Sequence, residues 1–162
     1  MQTRFLTLVR HAKSSWNNEG QSDHDRVLNE RGRKDAPVMA QRLVDQNCIP
    51  DFILVSTAKR ARQTAGFLID AFGLSAKQVQ FDRQLYLAPP NAILNAVSGT
   101  NNKHNHIMVV AHNPGLEQLC NELARQELPP MATLAVRHFS YQSYADAELI
   151  FNDYPKKLQA SG

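Results

Sequence analysis

Arg10, His11, Arg60 and His112 are the residues of this chain whose types and positions could do chemistry together. Arg10-His11 follows the apolar run at residues 5–9. Arg60 closes Ser56-Thr57-Ala58-Lys59-Arg60, directly after the run at 52–55, and His112 opens His112-Asn113-Pro114-Gly115 after the run at 107–111. Each run has the length and composition of a buried strand. In open α/β sheets, ligands bind outside the carboxyl ends of the strands, so a parallel sheet would bring the three polar ends to one edge. Two of those ends lead into helices, whose N-termini add positive potential. Two guanidiniums and two imidazoles gathered there suit a dianionic, tetrahedral phosphoryl group. Arginine forks bind its oxygens in pairs, and a neutral imidazole is a nucleophile toward phosphorus. Any one of these ends alone could be a polar cap at the surface; three of them together carry the reading.

The elements that must position these residues follow from periodicity. Strands are expected at 5–9, 52–56, 79–81, 107–111, 134–139 and 148–151. A helix opens after Leu28-Asn29, with Asn29 as N-cap and Val38, Met39, Leu43 and Val44 as its apolar face; Pro37 should kink it or delay its start. A second helix at 60–72 carries the stripe Ala61, Ala65, Leu68 and Ile69 and ends at Gly73, and two more are expected at 91–97 and 116–124. Strands alternating with helices give right-handed crossovers and an α/β fold: a three-layer α/β/α sandwich with a mainly parallel sheet of about six strands, one of them antiparallel. With no repeat or linker, residues 1–162 read as a single domain.

Composition narrows the function classes. Eighteen Lys+Arg against fifteen Asp+Glu leave a formal charge of +3, too small and too dispersed for a nucleic-acid surface. No apolar stretch approaches membrane-spanning length and no signal-peptide pattern opens the chain, so a cytoplasmic protein is expected. Cys48 and Cys120 are isolated, form no CxxC, and read as small packing residues in a reducing compartment. His104 and His106 lie in Asn101-Asn102-Lys103-His104-Asn105-His106 without further ligands nearby in sequence. They read as a solvated loop, so neither a metal nor a cofactor is expected. His24 and His138 are assigned no catalytic part, and Trp16 either packs or lines the pocket mouth.

Three segments carry a family resemblance. Residues 8–17, Leu-Val-Arg-His-Ala-Lys-Ser-Ser-Trp-Asn, resemble the signature of the histidine phosphatase superfamily, with its phosphoglycerate mutase-like fold. Residues 56–65 resemble its second signature and residues 110–114 its third, and Leu28-Asn29-Glu30-Arg31-Gly32, between the first and second, adds to the match. The compact length, and Ala12 where larger members carry Gly, resemble the SixA-type phosphohistidine phosphatases. The resemblance implies His11 as the transiently phosphorylated nucleophile and Arg10 and Arg60 as ligands of the non-bridging oxygens. It implies His112 as the stabiliser of developing charge and Asn17 as a further substrate-binding residue. Arg62 should point elsewhere on its helix.

One departure from the family pattern has a chemical meaning. Many members place a catalytic Glu after the third strand, but this region reads Asp82-Arg83-Gln84-Leu85-Tyr86-Leu87, with Leu87 near the expected acid. Asp82 comes too early; Asp23 and Asp25 are substitute candidates, or there is no acid. An alkoxide leaving group needs a proton, whereas a phosphorylated imidazole can arrive protonated near neutral pH and depart neutral. A site without an acid therefore suits P–N bonds. The expected activity is a metal-independent phosphohydrolase with a phosphohistidine intermediate. Its expected partner is a phosphorylated protein, such as a histidine phosphotransfer protein. The alternative is a small-molecule phosphomonoesterase or phosphoanhydride hydrolase, with a non-catalytic phosphate-binding module behind both.

Overall fold

The computed structural model describes residues 2–16, 20–100 and 102–155. Its strands are β1 (Arg4–Arg10), β2 (Phe52–Ser56), β3 (Val79–Asp82), β4 (His106–Ala111), β5 (Val136–Tyr141) and β6 (Glu148–Asp153). They form one sheet in the order β3-β2-β4-β1-β5-β6. Neighbours from β3 to β1 run parallel, while β5 is antiparallel to both β1 and β6. The single reversed strand is therefore β5, in the three-layer architecture anticipated above.

Strand alternation divides the core into two layers. Leu6, Leu8, Leu54, Val109 and Phe139 face helices α3 (Pro90–Ser98) and α4 (Gly115–Ala124). Val9, Ile53, Val55, Met108, Val110 and Val136 face helices α1 (Glu30–Asp45) and α2 (Lys59–Phe72). Burying each such side chain stabilises the fold by roughly 1.5–3 kcal/mol. The central strands β4 and β1 are covered on both faces, as expected for the parallel part of a sheet.

Two local expectations are corrected. α1 does not start late at Pro37: it runs from Glu30 through Pro37 to Asp45. Asn29 caps it, accepting from the Gly32 N–H at 2.9 Å, and Pro37 lies on the exposed side, where water can take up the freed carbonyl. Its buried face is Gly32, Ala36, Met39, Ala40 and Leu43; Val38 is exposed. Gly32 is required by close approach, because a Cβ there would stand 2.2 Å from the Lys13 carbonyl oxygen. This contact seats the first turn of α1 on the loop after His11. β5, expected from residue 134, begins at Val136. Leu134 has φ of 60°, a left-handed conformation incompatible with a strand, and its N–H donates to the carbonyls of Arg10 and His11.

Candidate active site

β1, β2 and β4 deliver their polar ends to one edge, and the four side chains singled out by sequence meet there. His11 follows β1, with its N–H donating to the Ala111 carbonyl at 3.2 Å. The ring's Nδ1 is 2.7 Å from the Ala12 carbonyl, which can only accept, so Nδ1 carries the proton. Nε2 is then the lone-pair nitrogen, and the Arg60 Nε–H approaches it at 3.4 Å. Burial pushes the His11 pKa down to about 3; the Ala12 hydrogen bond opposes this, while Arg60, Arg10 and Arg26 reinforce it. The imidazole is therefore neutral at physiological pH. Thr64 on α2 fixes the loop by accepting the Ala12 N–H at 2.9 Å while donating to the Arg60 carbonyl at 2.8 Å.

His112 stands beside it, the ring centroids 5.2 Å apart. Its Nε2 is 2.7 Å from the Ser56 hydroxyl oxygen, which also accepts the Ala58 N–H at 3.2 Å. With the Ser56 hydroxyl donating to the His112 Nε2 lone pair, the His112 proton is on Nδ1. Among the described residues that Nδ1 is buried without a partner, as is Arg10 Nε. Burial also lowers the His112 pKa to about 3, with His11 and Arg60 adding to the effect. Two unpaired buried donors beside a neutral imidazole lone pair are what an incoming oxyanion would satisfy.

Asp23 holds Arg60 in place, and sequence reasoning missed this role. Its backbone carbonyl accepts from Arg60 Nη1 at 2.6 Å and its carboxylate from Nη2 at 3.0 Å. The same carboxylate accepts from Arg26 Nε at 3.1 Å and from the Tyr86 hydroxyl. Burial acts to raise its pKa, but the Tyr86 hydrogen bond and the Arg60 and Arg26 contacts outweigh this and set it at about 2. Asp23 is an ionised acceptor in this arrangement and has no proton to give. Asp25 faces solvent, 3.6 Å from the His24 ring. Asp82 caps the turn at Arg83–Leu85, and Leu87 is half exposed.

Tyr86, Arg26 and Ser56 complete the surroundings. The Tyr86 ring meets His112 edge-on at 5.5 Å and His24 at 4.8 Å. Arg26 is buried, donates to the Ser14 hydroxyl at 2.8 Å, and places its guanidinium 3.4 Å over the Trp16 ring. Trp16 itself is largely exposed, so it covers Arg26 from the solvent side. Ser56 ends β2 and opens the expected motif, but sequence reasoning gives it no role there, because a strand-terminal serine carries no signal until the fold places it against His112. Asn17 lies outside the described residues. Arg62 points away, over Phe81 at 5.5 Å, and His104 stacks on Phe52 at 4.7 Å. His106 and His138 lie elsewhere, on β4 and β5.

Comparison with known proteins agrees with this geometry. The family model of the histidine phosphatase superfamily (branch 1) matches residues 6–85. A chloroplastic Arabidopsis thaliana protein of uncharacterized function is 31% identical over 139 residues, 75% of this chain. The chain spans 60% of that relative's length. An uncharacterized Mycobacterium tuberculosis protein is 33% identical over 116 residues, covering 72% of this chain and 70% of that one. The crystal structure of an Agrobacterium tumefaciens protein assigned as phosphohistidine phosphatase SixA superposes with a TM-score of 0.85 at 27% identity, over 96% of this chain and 100% of that one.

Proposed function

We propose that this chain, which belongs to the histidine phosphatase superfamily (branch 1), is a metal-independent protein phosphohistidine phosphatase working through a phosphohistidine on His11. One observation carries the reading: the His11 Nε2 lone pair has Arg60 alongside and the His112 ring 5.2 Å away, and among the described residues Arg10 Nε and His112 Nδ1 are buried without a partner. Arg10 and Arg60 take the non-bridging oxygens, supplying the positive charge a metal would otherwise bring. His11 Nε2 attacks phosphorus, the P–N bond of the substrate breaks, and the substrate imidazole departs. His112 Nδ1–H donates to an oxygen whose charge grows in the transition state. Water then cleaves the new P–N bond, releasing inorganic phosphate and restoring neutral His11.

The substrate class follows from the proton inventory. Among the described residues, Asp23 is ionised and bound to Arg60, Arg26 and Tyr86, and Glu117 near Arg10 accepts from the Met131 N–H, so neither is placed as a carboxylic acid for an alkoxide. A phosphorylated imidazole that arrives protonated needs none. The Agrobacterium neighbour's assignment as a phosphohistidine phosphatase supports the same choice. Two buried free thiols suit a reducing compartment such as the cytoplasm. Among the described residues no helix is long and apolar enough to cross a membrane.

A hydrolysis panel tests this reading. Phosphohistidine protein, an aryl phosphate, sugar phosphates and nucleotides are compared by kcat/KM. Phosphohistidine protein is expected to be the best substrate, with the aryl phosphate next because its leaving group is good. Sugar phosphates or nucleotides turned over as fast as phosphohistidine would overturn the substrate assignment in favour of a small-molecule phosphatase.

A further inference from the structure

We propose that Cys48, His106 and His138 form a second site, remote from His11, that binds one borderline-soft cation such as zinc(II) in a structural role. The three come from separate elements: Cys48 from the segment after α1, His106 from the start of β4, and His138 from β5. Register brings them together, because His138 pairs directly with Thr7 on β1, and Phe5 two residues earlier pairs with His106. One ligand atom from each lies within 4.8 Å of the others. Thr7 is four residues upstream of His11, which separates the sites by roughly 13 Å along the strand.

The donor geometry fits coordination. Cys48 Sγ is 3.7 Å from His138 Nδ1. Tetrahedral zinc with ordinary Zn–S and Zn–N bonds separates sulfur from nitrogen by roughly 3.6 Å. His106 Nδ1 lies 3.2 Å from the Ile49 carbonyl and therefore donates to it, turning its Nε2 lone pair toward the cluster. A ligating histidine is commonly oriented by such a backbone carbonyl. His138 is stacked on Phe5 at 5.3 Å and flanked by Phe151 at 5.1 Å, which sets its ring plane. Thr7 Oγ1 is 2.6 Å from His106 Nε2 and 2.7 Å from His138 Nδ1; its hydroxyl donates to the first and accepts from the second, which holds both ring nitrogens toward the cluster. A cation seated there replaces these two hydrogen bonds, and His138 then carries its proton on Nε2. Burial keeps both imidazoles neutral, the form that binds metal.

The surroundings make these residue types conspicuous. The same face of the sheet is otherwise lined by Val9, Ile53, Met108, Val110 and Val136, and Thr7, Cys48, His106 and His138 are all buried. Hydrogen bonds among buried neutral groups largely replace those made with water, so the network alone gives little over an apolar core. A cation would engage Cys48, His106 and His138 together, because one ligand atom of each lies within 4.8 Å of the others. On binding, the Cys48 thiol loses its proton to solvent and the thiolate enters the coordination sphere. The resulting positive charge lies near Asp51, whose carboxylate accepts the His106 backbone N–H at 3.0 Å.

The test uses the full chain, stripped with a chelator and titrated with zinc(II) against a chromophoric competitor, and with cobalt(II) followed by absorbance. One equivalent of zinc should bind, with a rise in Tm, and cobalt should show a thiolate-to-metal charge-transfer band. Cys48→Ser should abolish that band, and Cys48→Ser and His138→Gln should each weaken zinc binding by roughly 100-fold or more. The double variant His11→Gln/His112→Gln should bind zinc as wild type does. Turnover of an aryl phosphate should survive chelation. Circular dichroism identifies variants that fail to fold, and the cobalt band on wild type reports thiolate ligation independently of them. Absence of stoichiometric uptake, a missing charge-transfer band, or uptake lost in the His11/His112 variant overturns the site without bearing on the phosphatase reading.

Discussion

Asp23→Asn separates two roles that one carboxylate could play beside the phosphoryl pocket. In the structure Asp23 accepts from Arg60 at 3.0 Å, Arg26 at 3.1 Å and the Tyr86 hydroxyl, and its side chain is 40% exposed. Hydrogen bonds to charged groups are worth about 1.5–3 kcal/mol each, but exposure of this order screens them and asparagine retains one acceptor oxygen. A net loss of about 2 kcal/mol in the positioning of Arg60 corresponds to a roughly 30-fold fall in kcat/KM. The assay compares an aryl phosphate, which leaves without a proton, with an alkyl phosphate, which needs one. A carboxylate that only positions Arg60 costs both substrates the same factor. A carboxylate that donates a proton costs the alkyl phosphate a further 10²–10⁴-fold, on the order expected for losing a general acid. An unchanged aryl phosphate rate with a collapsed alkyl phosphate rate would refute the assignment of Asp23 as an ionised anchor.

Two further outcomes follow from the imidazoles. Ser56→Ala removes the hydroxyl that fixes the His112 tautomer and should lower kcat about 10-fold with little change in KM, the loss of roughly one hydrogen bond. A wild-type rate would show that Ser56 does not position the ring. The His11 and His112 pKa values are held at about 3, so below the ordinary value of 6.5 the unfolded chain takes up protons that the folded chain refuses. Their contribution to stability is therefore complete above pH 6.5 and is lost as pH falls toward 3. Between pH 7 and pH 5 the loss is roughly 2 kcal/mol for each histidine. Asp23, held at about 2, stays ionised across that window and adds nothing to the slope. Denaturant unfolding at the two pH values checks this, and equal stability at both would contradict the burial of neutral imidazoles.

How much was legible in the sequence depended on whether a residue's role is local. β1, β2 and β4 could be read because apolar runs end abruptly on Arg10, Ser56 and His112, and a parallel sheet leaves those ends one place to meet. α1 was misjudged at Val38 because Pro37 obscured the helical phase, although solvent absorbs its missing hydrogen bond. The start of β5 was lost to Leu134, whose left-handed backbone is held by carbonyls of the distant Arg10 and His11. The candidate site shows the same division. His11, Arg10, Arg60 and His112 stand in contiguous motifs, whereas Asp23 reaches Arg60 across 37 positions and Tyr86 reaches Asp23 across 63. Cys48, His106 and His138 were each unremarkable alone, and only the pairing of β1 with β4 and β5 brings them together.

Covalent chemistry at His11 is tested most directly by rapid quench with radiolabelled aryl phosphate. During turnover, wild-type protein should carry label that is acid-labile and alkali-stable, as a P–N bond is. The same experiment on His11→Ala, checked as folded, should give neither label nor turnover. His112→Ala should still be labelled while turning over about 10²–10³-fold more slowly, the scale of losing one transition-state donor. Label that persists in His11→Ala, or hydrolysis by that variant at the wild-type rate, would contradict the account.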